Sequence, residues 1–428
     1  MAEGTRPLPS ELILYIIEQY RNDKHTLSLC ALVCRDWCAF SWPLLFNRIT
    51  ILFDPYHTHL SFTCAQLCDL LNAGDCCPCA SFMHDLSVRS VCSPAGSSDV
   101  RFRHFQLSEA QVLLENFRNL RSLSLTQLYI ASQCPPSAVQ AFRLSRLILD
   151  DVVVDPVWFD LLKMFSEIQE LHAVNLYHIT IESLSDGNRK WMHHPMIIRT
   201  LFLEEYSNTM RFNFPVKAIA VGAITRISCG ISSPEALDHL SSFLRPAVST
   251  NLTHLHIILD YTYCRDIASL NWTSLSGHRQ RSFTDFHVTV KYTAEHHDYH
   301  PGYECLRSFL RQAIDSLPSH VITHLSIVIS NLTETYRIFP WGILDTALER
   351  FSKSNLISIV LADDTLCLDG DLGAEASHHI WSNMHSTRSR DILEIVNNAT
   401  EWRPHDRAYG DDEGYFRPPP TLFSLPKN

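Results

Sequence analysis

Leu8-Pro9-Ser10-Glu11-Leu12, Val33-Cys34-Arg35-Asp36-Trp37 and Pro43-Leu44-Leu45-Phe46 mark the stretch whose reading decides this chain. Pro9 and Ser10 suit a helix start, because proline lacks an amide that would go unpaired there and serine can cap. Leu12, Ile16, Ile17 and Tyr20 then fall at helical spacing, and Asn22-Asp23 breaks the pattern. A second helical pattern runs from about Thr26 through Leu27, Cys30, Ala31 and Val33, with Leu29 and Leu32 widening its stripe. Arg35-Asp36 interrupts, Trp37 and Phe40 resume, and Ser41-Trp42-Pro43 opens a last short turn, the place where a proline is tolerated. About forty residues thus carry more apolar surface than so small a unit can bury by itself, so a partner protein is expected to complete it.

These residues resemble the F-box. That pattern is Leu-Pro, an acidic residue two positions after the proline, an apolar helix, Val-Cys-basic-x-Trp, and an apolar triplet closing near Leu-Phe. Leu8-Pro9, Glu11, Leu12 to Ile17, Val33 to Trp37 and Leu44-Leu45-Phe46 supply it in order and spacing. The resemblance covers about a tenth of the chain. It implies docking on the Skp adaptor of a cullin-based (SCF-type) ubiquitin ligase, with Leu8, Pro9, Leu12, Ile16, Val33, Cys34, Trp37, Leu44 and Leu45 at the interface. The polar linker Asn22-Asp23-Lys24-His25 departs from relatives that carry an apolar residue or proline there. The same pattern also fits an ordinary helical hairpin packed on the rest of the protein.

The 428 residues suffice for one large domain or two to three ordinary ones. With 46% hydrophobic and 19% charged residues the chain is globular, and a formal charge of −11 without any Lys/Arg-rich run argues against a nucleic-acid surface. No apolar run is long enough to span a membrane, and Met1 to Pro7 carries no signal-peptide core. Fourteen cysteines without a secretory signal read as reduced thiols, which places the protein in the cytoplasm or nucleus. The Asn-x-Thr sequons at Asn251, Asn271, Asn331 and Asn398 are then silent.

Downstream, an apolar-x-x-apolar-x-apolar pattern recurs. It reads at Met83/Leu86/Val88, Leu120/Leu123/Leu125, Leu144/Leu147/Leu149, Ile168/Leu171/Ala173 and Ile198/Leu201/Leu203. It returns at Ile224/Ile227/Cys229, Leu252/Leu255/Ile257, Phe283/Phe286/Val288, Ile322/Leu325/Ile327 and Leu356/Ile359/Leu361. Random sequence this apolar would supply on the order of 40 matches, so the spacing carries the information. Successive starts lie 37, 24, 24, 30, 26, 28, 31, 39 and 34 residues apart, and four of these intervals fall within the 20–29 of leucine-rich repeats. Helical returns are expected over Leu107 to Phe117, Pro156 to Phe165, Pro234 to Leu244 and Tyr303 to Leu317, and a further helix around Asp391 to Ala399.

The asparagine or cysteine of a regular repeat is missing three positions after each last apolar residue. Leu128, Val152, Leu176, Tyr206, Ser232, Asp260, Lys291, Ser330 and Asp364 stand there instead. The expected fold is α/β: an N-terminal three-helix F-box followed by an irregular leucine-rich-repeat-like α/β solenoid, with a non-repetitive α/β domain as the alternative. The corresponding boundaries are 1–52 for the F-box-like domain, 53–82 for a linker and 83–401 for the repeat domain. Residues 402–428, polar and Pro-rich, read as a disordered or extended tail.

No constellation favours catalysis. Cys64, Cys68, Cys76, Cys77 and Cys79 are dense, but their spacing is not that of paired zinc ligands. Adjacent side chains in Glu295-His296-His297-Asp298-Tyr299-His300 point apart in an extended loop, and His193-His194 and His378-His379 offer less. No Gly-x-Ser-x-Gly and no Gly-rich phosphate loop occurs. The chain is therefore expected to be a non-catalytic substrate receptor, without cofactor or metal, that brings a target protein to the ligase. Residues between the apolar strand positions would face that target: Ser122, Ser124, Arg146, Ile148, His254, His256, Thr323, His324 and Ser326. The alternative is an F-box-like scaffold that takes no part in ubiquitylation.

Overall fold

The computed structural model describes residues 8–53, 79–90, 103–131, 141–154, 158–178, 195–204, 219–231, 251–260, 284–291, 307–314, 322–330, 336–351, 356–362, 370–390 and 392–397, apart from a few single positions within and between these ranges. The chain divides into two units. The first comprises Met1–Arg199 with Lys217–Ala220, and the second Thr200–Val216 with Val221–Asn428.

The first unit begins with helices α1 (Ser10–Gln19), α2 (Lys24–Ala31) and α3 (Arg35–Phe46). Pro9 occupies the cap position of α1 and Ser10 its first turn. No side chain caps that end, so the capping role expected of Ser10 is not used. Asp23 caps α2 instead, its carboxylate accepting from the Thr26 amide at 3.0 Å. The expected break at Arg35-Asp36 and the new turn at Pro43 are both corrected, because α3 is continuous and holds Pro43 inside it. Lys24 supports its last turn, Nζ donating to the carbonyls of Leu44 at 2.6 Å and Leu45 at 2.7 Å. These are acceptors that a helix end otherwise leaves open. Burial lowers the Lys24 pKa first, with Arg48 adding to it.

Strands β1 (Arg48–Phe53), β2 (Asp85–Ser90), β4 (Ser122–Thr126), β6 (Phe142–Asp150) and β8 (Phe165–Val174) follow in order, each parallel to the one before. Register aligns Leu86, Leu123, Leu147 and Leu171 in one row and Val88, Leu125, Leu149 and Ala173 in the next. All eight are buried, so stacking identical apolar positions builds this core. A second parallel sheet joins β3 (Arg103–Gln106), β5 (Leu128–Ala131), β7 (Val153–Val154) and β9 (Tyr177–His178). Helix α4 (Leu107–Asn116) opens on a capping box between Gln106 and Glu109, and α5 is Trp158–Lys163. Phe165, expected at the end of that second helix, instead starts β8.

The chain passes from β4 to β5 and from β6 to β7, one sheet to the other, through tight corners. Gln127 and Asp151 take positive φ, 55° each. Their amides donate to the carbonyls of Asp150 and Val174 on the next strand, at 2.9 and 3.0 Å. Leu128, Val152 and Leu176, where a regular repeat would carry asparagine or cysteine, are buried. Left-handed backbone disfavours branched side chains, so Gln127→Val is expected to cost about 1–2 kcal/mol in urea unfolding while Gln127→Gly changes stability little. Equal midpoints for the two variants would remove the corner from this account.

In the second unit β10 (Ile197–Glu204, from Thr200 on), β11 (Arg226–Ile231), β12 (His254–Asp260), β13 (Asp285–Lys291), β14 (His324–Ser330), β15 (Leu356–Ala362) and β16 (Leu393–Asn397) are again parallel and adjacent in chain order. Leu201, Ile227, Leu255, Phe286, Leu325 and Ile357 form one buried row. One backbone bond recurs at each step, with the His254, Asp285 and His324 amides donating to the carbonyls of Thr225, Thr253 and Thr284. A π-helical turn, Leu310–Ile314, and helices α6 (Trp341–Leu348), α7 (Gly370–Asn383) and α8 (His385–Ser389) also belong to this unit. Arg390 closes the end of α6, donating to the carbonyls of Leu348, Glu349 and Phe351.

The second and third residues of all ten apolar triads thus fall on parallel strands, with two corrections. Ile357, and not Ile359, aligns with Leu325, so the last triad is two residues out of step. The helix expected around Asp391 to Ala399 is instead β16, paired with β15 through Ile359 and Ile395. Ile392, Ile395 and Val396 suit either period, and pairing along the β15 edge decides for the strand. Most of Pro234 to Leu244, much of Tyr303 to Leu317 and all of the 402–428 tail lie outside the described residues.

Candidate functional site

Two surfaces gather the residues singled out in the sequence. The first is the α1–α3 hairpin. Its own core is small: Ile13, Ile17 and Leu27, with Trp37, Phe40, Leu44 and Leu45 packed against them. Three of the nine expected adaptor contacts, Trp37, Leu44 and Leu45, therefore spend part of their apolar surface inside the hairpin. Leu8, Pro9, Leu12, Val33 and Cys34 are exposed, and Ile16 is half-buried. Leu14, Tyr15, Tyr20, Leu29 and Leu32 join them in the open, with Leu32 at 82% and Val33 at 63% exposure. Of the ten large hydrophobic residues exposed among the described residues, eight lie between Leu8 and Val33. Such a concentration differs from the scattered apolar residues of an ordinary surface.

Leu14, Tyr15, Leu29 and Leu32 were not among the expected contacts. The signal was available in α1, whose residues 12–17 are all apolar, so no single helix face could bury them.

The second surface is the sheet face opposite the apolar rows. In the first unit, register sets Asp85, Ser122, Arg146 and Glu170 side by side, and Ser87, Ser124, Ile148 and His172 in the next row. Arg146 Nε donates to Glu170 Oε2 at 2.8 Å, and His172 Nε2 stands 3.7 Å from the same oxygen. His172 and then Arg146 hold the Glu170 carboxyl down at about 2, while burial lowers the His172 pKa. Ser122, Ser124 and Arg146 remain partly accessible. Ile148 is buried, so it cannot be the target contact expected of it.

In the second unit one row reads Arg226, His254, Asp285 and His324, and the next Ser228, His256, His287 and Ser326. Asp285 lies between two imidazoles, His254 Nε2 at 3.3 Å from Oδ2 and His324 Nδ1 at 3.0 Å from Oδ1. The Thr284 hydroxyl donates to Oδ2 at 2.6 Å. His256 bridges the next row, with Nδ1 2.9 Å from Ser228 Oγ and Nε2 2.8 Å from Thr289 Oγ1. Burial first, and then His256, His254 and His324, drive the His287 pKa down to about 3. His254 is lowered as well, by burial, against the pull of Asp285. The expected contacts His254, His256 and His324 thus come together, beside Thr323, while Ser326 is buried and excluded. Asp285 and His287 were missed, although they flank Phe286 as His254 and His256 flank Leu255.

No group of three or more His, Cys, Asp or Glu residues able to hold a metal ion occurs among the described residues. Most of the Cys64–Cys79 stretch, and all of His193-His194 and Glu295–His300, lie outside them, as do the sequons at Asn271, Asn331 and Asn398. His378 and His379 sit on α7, and the Asn251 amide donates to the Gly222 carbonyl at 2.6 Å. No described helix is long and apolar enough to cross a membrane. No protein-family model matches the chain, and no curated protein matches it significantly.

Proposed function

We propose that α1–α3 is an F-box that docks a Skp-type adaptor, and through it a cullin, and that the chain is a non-catalytic substrate receptor of an SCF-type ubiquitin ligase. The observation that carries this reading is the run of exposed apolar residues from Leu8 to Val33, on a hairpin that already has a core of its own. Residues of the Leu-Pro and Val-Cys elements lie on that outer surface, and Trp37 helps to hold it in shape. The parallel strands are read as a degenerate leucine-rich-repeat-like array whose polar rows face a target protein. Apolar rows at one fixed register and corners repeated at Gln127 and Asp151 support this. In this role the chain would raise the local concentration of a target near a charged ubiquitin-conjugating enzyme, the chemistry being done elsewhere.

Co-purification from cells with a tagged chain provides the test. Wild type is expected to retain the Skp adaptor and a cullin, and Leu12→Asp/Val33→Asp to lose both while folding normally, since both side chains are exposed. Adaptor without cullin would favour a scaffold outside ubiquitylation. Absence of the adaptor from wild-type material would sink the F-box reading.

A further inference from the structure

The histidine cluster of β12–β14 is not used by the adaptor reading, and its geometry has a consequence of its own. Four imidazoles meet on three adjacent strands: His254 and His256 from β12, His287 from β13, His324 from β14. The rings of His256 and His287 stand edge to face with centroids 6.3 Å apart. His287 is 5% exposed, and Thr289, on the same strand face, is completely buried. Among the described residues, Arg226 from β11 bears on His254, and Asp285 from β13 bears on His254 and His324. Asp285 already serves two imidazoles and a threonine hydroxyl. A proton on His287 would therefore place a cation in a buried site beside three other imidazoles, with the nearby Asp285 carboxylate already engaged by His254, His324 and Thr284.

We propose that this cluster is an acid-operated latch, which holds the shared face of β12–β14 closed while its imidazoles are neutral and lets these strands open locally when His287 takes up a proton. With the folded group depressed to about 3 and the open form near the usual 6.5, nothing is lost above pH 6.5. Below it the open form binds the proton and the closed form does not, so closure weakens steadily as the pH falls from 6.5 towards 3. His254 adds to the effect in the same direction.

Hydrogen exchange of the full chain at pH 7.5 and 5.5, corrected for the intrinsic rate of exchange, tests the latch. Protection over 285–291 is expected to fall about tenfold at the lower pH, the factor set by one pH unit below the open-form pKa. Peptides over 85–90 serve as the reference and are expected to change far less. The His287→Gln variant, and the bulkier His287→Phe should the first fail to fold, is expected to show no such selective loss. Equal losses in both regions, no loss in wild type, or an unchanged loss in a folded His287 variant would each overturn the latch. None of these results bears on adaptor binding, which uses other residues.

Discussion

Asp345→Ala is expected to destabilise the second unit by about 3–5 kcal/mol, a large share of a domain's total stability. Asp345 lies on α6, 8% exposed, and its carboxylate accepts from three donors of α8. These are the Ser386 and Thr387 amides, both at 2.8 Å, and the Thr387 hydroxyl. The cap position of α8, Met384, contributes no side-chain bond, so Asp345, 41 positions before Ser386, does the capping. Thr387 is fully buried. Alanine would strand a buried amide and a buried hydroxyl, each costing about 1–3 kcal/mol, and would remove charge-assisted bonds as well. Asp345→Asn keeps one acceptor oxygen but turns an amide group towards the donors, so an intermediate loss is expected. Urea unfolding of the full chain measures both. An alanine variant within about 0.5 kcal/mol of wild type would show that α6 and α8 are not held together this way.

Leu27→Ala is expected to melt the N-terminal hairpin as a unit. Deleting a fully buried leucine side chain costs about 2–5 kcal/mol, and the hairpin core has only Ile13, Ile17 and Leu27 at its centre. So small a core leaves little reserve. Amide protection across Ser10–Gln19 and Lys24–Ala31 should disappear, and with it adaptor binding, while the second unit unfolds at its usual denaturant concentration. Leu12→Asp changes an exposed position and should leave that protection intact. A hairpin that stays protected after Leu27→Ala would mean that its stability comes from elsewhere in the chain.

Much of this was legible in the residues, and the failures have physical reasons. Stacked parallel strands repeat the same inward positions, which is why the second and third residues of the triads from Met83 to Ile327 fall on strands. Strand β1 carries the same pattern at Phe46, Ile49 and Ile51. It went unread because Phe46 also closes a helix, and the expected boundary at residue 52 cuts through that strand. β16 was misread because a short Ile-Leu-Glu-Ile-Val run fits both periods, and only the neighbouring strand decides. The corners could not be read from residue type, since neither glutamine nor aspartate at positive φ announces itself in a single sequence. Among the functional candidates, the spacing rule that found His254, His256 and His324 also covers Asp285 and His287, whose chemistry was overlooked beside the apolar Phe286. On the hairpin, pattern alone could not divide inward from outward apolar residues. Ile13, between the expected contacts Leu12 and Ile16, proves to be core.

A direct binding measurement between the purified chain and a purified Skp-type adaptor tests the proposed role of the exposed apolar surface of α1–α3. Wild type is predicted to bind with a submicromolar Kd. Leu12→Asp/Val33→Asp is predicted to weaken that at least about a hundredfold, the equivalent of about 3 kcal/mol, with unchanged thermal unfolding. No binding by wild type, or binding of equal strength by the double variant, would contradict the claim that this surface is the docking site.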